Sequence, residues 1–221
     1  MHPYLKPVKK AFSRHADPLK AIGAKAYMRN QFEFFGMQTP VRRMITKEIF
    51  NTGFPAMDEI PGIIKDAWQQ PQREYQYFAI ELMGKMKKEW KPDLIPLFEE
   101  MITQKSWWDS VDHMASWVLG PFFQIYPEMI KKETKRWNQS ENFWLQRSSI
   151  LFQKAYRDKT NTALLSEYIL HCAASKEFFI QKAIGWSLRE YAKTDPQWVL
   201  RFVQKNQLPA LSKREALKNI V

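Results

Sequence analysis

With 221 residues, 45% of them hydrophobic, the chain has the length of one large domain or two small ones and enough apolar material for a sizeable core. Its 34 Lys plus Arg against 23 Asp plus Glu leave a formal charge of +11, so a polyanion leads the partner classes, nucleic acid ahead of an anionic membrane surface. A single cysteine excludes an internal disulfide, and the histidines at 2, 15, 113 and 171 form no ligand cluster with it, so neither a metal nor another cofactor is expected.

The start of the chain, Met1-His2-Pro3-Tyr4-Leu5-Lys6, lacks an apolar signal core, and no stretch reaches about 18 uninterrupted apolar residues, so no membrane association and a reduced cytoplasmic setting are expected. Glycine is scarce, β-branched runs are nearly absent and proline falls mostly at segment boundaries, which makes all-α the expected class. Helices are predicted near 3–15, 18–35, 40–50, 57–69, 72–88, 93–104, 107–119, 122–136, 141–157, 162–174, 176–193, 196–205 and 212–220. Asp17-Pro18, Thr39-Pro40 and Asp195-Pro196 read as helix starts, because proline fits the first turn and the preceding side chain accepts from free amides. Ser140 and Ser175 are expected to cap two more helices. Ser212-Lys213-Arg214-Glu215 has the spacing of a capping box. Cys172, beside Leu170, Ala173 and Ala174, reads as a small buried packing residue.

A period of 35 residues runs through the chain. Phe143-Trp144-Leu145-Gln146-Arg147 and Phe178-Phe179-Ile180-Gln181-Lys182 repeat aromatic, aromatic, aliphatic, amide and base in order, and Tyr156 and Tyr191 keep the same offset. Such a period marks a solenoid, whose helical units bury their apolar faces by stacking on neighbours. The same register connects Tyr77, Asp112, Arg147 and Lys182, and so places one acid among bases on equivalent helix faces.

Along single helices, Lys182, Trp186, Arg189 and Lys193 form a basic-aromatic stripe, Trp144, Arg147, Leu151 and Lys154 a second, and Trp108 stands four residues before Asp112. A charged stripe alone is the ordinary solvated face of an amphipathic helix; registration across repeats is what singles these out. Trp68, Trp90, Trp117 and Trp198 are expected to be packing residues. Asp112 has a bland reading too, as the ion-pair partner of Arg147 in the next repeat.

The segments Gly36 to Arg43, Lys105 to Asp112, Trp144 to Arg147, Ser175 to Trp186, Leu188 to Tyr191 and Leu211 to Ala216 resemble the DNA alkylation repair family of HEAT-like-repeat alkylpurine DNA glycosylases, the AlkD type. The resemblance spans nearly the whole chain. It implies one domain over 1–221, a right-handed α-solenoid of HEAT-like antiparallel helix pairs with a concave basic groove. It implies base excision repair by a monofunctional glycosylase that hydrolyses the bond to cationic N3- and N7-alkylated purines in duplex DNA. Asp112, Trp108 and Trp186 match the family's catalytic positions, and Arg147 and Arg189 its DNA-backbone contacts. Lys154, Lys182, Gln38, Thr39 and Arg43 are further candidate DNA contacts, although Thr39, Arg42 and Arg43 suit capping and solvated charge equally. The expected partner is double-stranded DNA carrying alkylated purines, bound by a monomer of bacterial type without an obligate protein partner, nucleoid-associated when on DNA.

The chemistry has its own logic. A purine alkylated at N3 or N7 is cationic and leaves neutral, so no general acid is needed. Positive charge develops on the sugar, and a fixed carboxylate stabilises it while orienting water. An aspartate, ionised at neutral pH, works here through charge. Indole faces attract a cationic base or sugar by about 0.5 to 2 kcal/mol per contact. A shallow groove without a second wall suggests tolerance of bulky adducts. Two other readings share the composition: a non-catalytic nucleic-acid-binding module and a helical-repeat protein scaffold.

Overall fold

The computed structural model describes residues 1–218 and 220, and apart from one isolated bridge between Glu33 and Gln72 their regular structure is helical. The chain divides into two compact units, Met1–Lys91 and Pro92–Val221.

The first unit holds α1 (Leu5–Arg14), α2 (Pro18–Tyr27), α3 (Thr39–Asn51), α4 (Ile60–Gln69) and α5 (Glu74–Lys85). Leu5, Val8 and Phe12, spaced for one face of α1, are fully buried, and Phe12 packs against Phe35, Tyr75 and Phe78. Asp17 caps α2 as predicted, its carboxylate accepting from Lys20 N–H at 3.1 Å. The predicted helix over 18–35 stops at Tyr27, because Arg29 and Asn30 take left-handed φ values of 53° and 58°, which end a right-handed helix. The chain then runs mostly outside helices to Gln38, held by the buried carboxylate of Glu74, which accepts from Phe35 N–H at 3.1 Å and Gly36 N–H at 3.0 Å. Gly36 has φ 86°, and a side chain there would meet the Asp17 carbonyl, so glycine is required at this turn.

The second unit holds α6 (Ile95–Thr103), α7 (Trp108–Met114), α8 (Gly120–Ile125), α9 (Ile130–Asn138), α10 (Phe143–Leu151), α11 (Thr162–Cys172), α12 (Phe178–Tyr191), α13 (Pro196–Lys205) and α14 (Ala210–Leu217). A π-helical turn over Ala115–Leu119 joins α7 to α8. The helix predicted over 122–136 is two helices, since Pro127 breaks it after Tyr126. Helices stack in pairs, and α10 packs on α7, α9, α11 and α12. Phe122, Phe123, Trp137 and Phe152 fill the core, and each buried phenyl contributes about 1.5–3 kcal/mol.

A buried amide fixes α10 against its neighbours. Asn138 Nδ2 donates to Ser149 Oγ at 2.9 Å and lies 3.4 Å from both the Tyr168 carbonyl and Cys172 Sγ. Cys172 is buried as expected, and burial pushes its thiol up to about 11. Among the tryptophans expected in packing, Trp68 and Trp90 are buried, but Trp117 is 54% exposed. It lies within the π-helical turn over Ala115–Leu119, which shifts the register, so spacing from α7 misplaces it.

Candidate active site

The 35-residue repeat is visible as repeated bonding. Before α10, Ser140 Oγ accepts from Asn142 N–H at 3.1 Å, Asn142 Oδ1 caps Trp144 N–H at 2.9 Å, and Gln146 Nε2 reaches back to the Ser140 carbonyl at 2.8 Å. Before α12, Ser175, Glu177 and Gln181 make the same three bonds at 3.2, 3.3 and 3.1 Å. The caps are therefore Asn142 and Glu177 rather than the serines, which brace the turn one step earlier. Identical entry turns put Arg147 and Lys182 at equivalent places on their helices.

Arg147 uses that place to reach Asp112 on α7. Its Nε donates to Oδ1 at 2.7 Å and its Nη2 to Oδ2 at 2.8 Å, while Nη1 donates to the Phe179 carbonyl on α12. Two parallel charge-assisted bonds hold a carboxylate in position and plane, which one lysine ammonium does not do. The Arg147 side chain is 1% exposed and that of Asp112 17%, so the acid sits at the edge of the packed interior with its base behind it.

Arg147, expected at the DNA backbone, has a buried side chain in the structure. Trp144, Arg147 and Leu151 are all buried, because that face of α10 lies against neighbouring helices, and of the predicted stripe only Lys154 is partly exposed. Trp144 packs on Phe143 and Phe179, with ring centroids 4.6 and 4.9 Å away. The guanidinium of Arg147 bonds Asp112 and the Phe179 carbonyl.

Four cations surround Trp186 on α12. Arg147 Cζ lies 5.4 Å from its ring centroid, Lys182 Nζ 5.6 Å, Lys154 Nζ 5.7 Å and Arg189 Cζ 5.9 Å. The structure thus gathers Arg147, Lys154, Lys182 and Arg189 around one predicted indole and ties that group to Asp112 through Arg147. Trp108 opens α7, half-buried, one turn before Asp112.

A second carboxylate, absent from the predicted site, lies on the other side of this cluster. Glu215 on α14 accepts from Lys182 Nζ at 2.9 Å, from Arg189 Nη1 at 2.9 Å and from Trp186 Nε1 at 3.2 Å. The Lys182 bond, helped by Arg189, holds its carboxyl below the usual glutamate range. The Lys182 side chain is only 23% exposed. The capping-box reading of Ser212 and Glu215 hid this role. In the structure α14 begins at Ala210, Ser212 is inside it, and its hydroxyl donates to the Gln181 carbonyl at 2.8 Å. One acid in a basic segment was the available signal.

Gln38, Thr39 and Arg43 belong to the first unit and are exposed at the start of α3. Gln38, not Thr39, is the N-cap residue, and it makes no side-chain cap. Arg42 turns inward instead, pairing with Glu81 at 2.9 Å over the Tyr77 ring, while Arg43 Nε stands 3.8 Å from the same carboxylate.

The sequence profile of the DNA alkylation repair enzyme family matches residues 8–220. The chain belongs to that family. A solved structure described as a predicted DNA alkylation repair enzyme from Enterococcus faecalis is 33% identical, covers 93% of this chain and 97% of its own, and superposes with a TM-score of 0.86. None of the curated proteins matches. Membership of the DNA alkylation repair family carries a role in that repair with DNA as substrate, and agrees with the all-α fold of helix pairs and the basic charge. No helix among the described residues is long and apolar enough to cross a membrane.

Proposed function

We propose that this chain is a DNA glycosylase of base excision repair that hydrolyses the N-glycosidic bond of cationic N3- and N7-alkylated purines in duplex DNA. The carrying observation is the bidentate hold of buried Arg147 on half-buried Asp112 beside the cation-ringed Trp186. Asp112 stabilises the positive charge that grows on the sugar and orients the attacking water. Arg147 keeps the carboxylate in place before substrate arrives, so little reorganisation is left for the transition state. The leaving base is already cationic and departs neutral, so histidine or another acid has no part.

Trp108 and Trp186 supply the indole surfaces that favour a cationic lesion. Arg189, Lys182 and Lys154 receive phosphates on the second unit; Gln38, Thr39 and Arg43 are DNA contacts of the first unit considered by itself. In this reading residues 1–221 act as one domain. Lys182 is bonded to Glu215 rather than standing as a desolvated nucleophilic amine, which supports base release without strand cleavage. A module that only binds DNA has use for the cations but none for a carboxylate at the edge of the interior held by both oxygens. Incubating the protein with methylated duplex DNA and identifying released bases by mass tests the reading. Free 7-methylguanine and 3-methyladenine over intact strands are expected; no released base refutes it.

A further inference from the structure

An acid on a phosphate-binding face weakens binding, so its presence asks for a gain elsewhere. Asp112 is one such acid. Glu215 is another, and the reaction just described gives it no step.

Its geometry is that of an anchor. Each oxygen takes one cation, Lys182 on Oε1 and Arg189 on Oε2, and Oε2 also accepts the Trp186 indole N–H. These residues lie one turn apart along α12, and Glu215 bridges all three from α14. Without it, Arg147, Lys154, Lys182 and Arg189 crowd one ring with less countercharge beside them, and the two long side chains regain their rotamers.

The backbone is arranged to permit this reach. At Gly185 a Cβ would lie 2.4 Å from Glu215 Cβ and 2.9 Å from the Ser212 carbonyl, so only glycine lets α14 approach α12 this closely. Ser212 then locks the approach by donating to the Gln181 carbonyl. Two independent features, a missing side chain and a cross-helix bond, serve to set one carboxylate at the N–H edge of one indole.

We propose that Glu215 is a positioning residue of this site, fixing the Trp186 indole and setting Lys182 and Arg189 as a paired clamp for the DNA backbone. The claim rests on the glycosylase reading. Glu215 acts through Trp186 and the two cations and touches neither base nor sugar. Asp112 with Arg147, and Glu215 with Lys182 and Arg189, are then two acid–base locks flanking the same ring.

The test uses the full-length protein, Glu215→Gln and Glu215→Ala, with three readouts: the Trp186 indole N–H resonance, undamaged-duplex affinity across salt, and single-turnover release of 7-methylguanine at saturating protein, below the melting temperature of every variant. In Glu215→Ala the indole resonance shifts and exchanges faster, duplex affinity holds or rises, and saturated release falls at least fivefold. Glu215→Gln, which keeps an acceptor for the indole, recovers part of the rate. Tighter binding with an unchanged saturated rate would show a mere counterion and overturn the proposal. So would a rate loss matching the loss of folded protein with the indole resonance unmoved. If the wild-type protein releases no alkylpurine, the glycosylase reading falls on that result, and an unmoved indole resonance with unmoved affinity still refutes the anchoring separately.

Discussion

Arg147 and Asp112, one 35-residue period apart, are joined through both carboxylate oxygens, and of the two only the acid reaches solvent. The ion pair and the catalytic role, rival readings of Asp112 from its spacing alone, are compatible in this geometry. A carboxylate steadied from behind can still face a reacting sugar, and the pairing serves the proposed chemistry.

Asp112→Asn keeps an acceptor for Arg147 but removes the charge. Release of 7-methylguanine should drop at least tenfold, about 1.4 kcal/mol of barrier, while affinity for the duplex holds or rises. Single-turnover kinetics on methylated DNA beside a binding isotherm checks both.

Arg147→Lys preserves charge and loses the fork, so it should slow release while leaving the salt dependence of duplex binding unchanged. Arg189→Ala should do otherwise, weakening all duplexes alike and reducing the salt slope by about one phosphate's worth. Comparing log affinity against log salt for the two variants separates the interior base from the clamp; a reduced slope in Arg147→Lys contradicts the assignment.

Gly185→Ala forces α14 away from α12, because the new methyl meets Glu215 Cβ and the Ser212 carbonyl. A loss of about 1–3 kcal/mol is expected, as for other overpacking changes, and urea unfolding measures it.

Glu215 also makes stability depend on pH. Its folded carboxyl titrates below its unfolded value, so the stabilisation is complete at neutral pH and lost as pH falls through the depressed folded value. The difference in unfolding free energy between wild type and Glu215→Gln should therefore be largest near pH 7 and shrink in acid; a constant difference from pH 7 to 3 would show that the Lys182 pair does not act in solution.

Cys172 should be inert in the folded protein. Its thiol, pushed up to about 11 by burial, holds little thiolate at pH 8, so a disulfide reagent should label it far more slowly than in urea. Equal rates in the two conditions would place the thiol at the surface.

Much of the helical order was legible along the chain, since Asp17 and Asp195 cap through local bonds that depend only on neighbours in sequence. The repeat was legible too, because the Ser140 and Ser175 turns rebuild the same bonds around a shared serine and glutamine, with Asn142 replaced by Glu177. Direction was not. Arg147 and Lys182 occupy equivalent positions, yet one is buried on Asp112 and the other is tied to Glu215 at the site's edge. Composition and spacing by themselves determined the class, the period and which residues share a register, for those are properties of short stretches of backbone and of charge count. Only packing decided which of those residues turn inward, because burial depends on the helix that arrives from elsewhere in the chain, and Gly185 brings α14 close enough for Glu215 to complete the cluster.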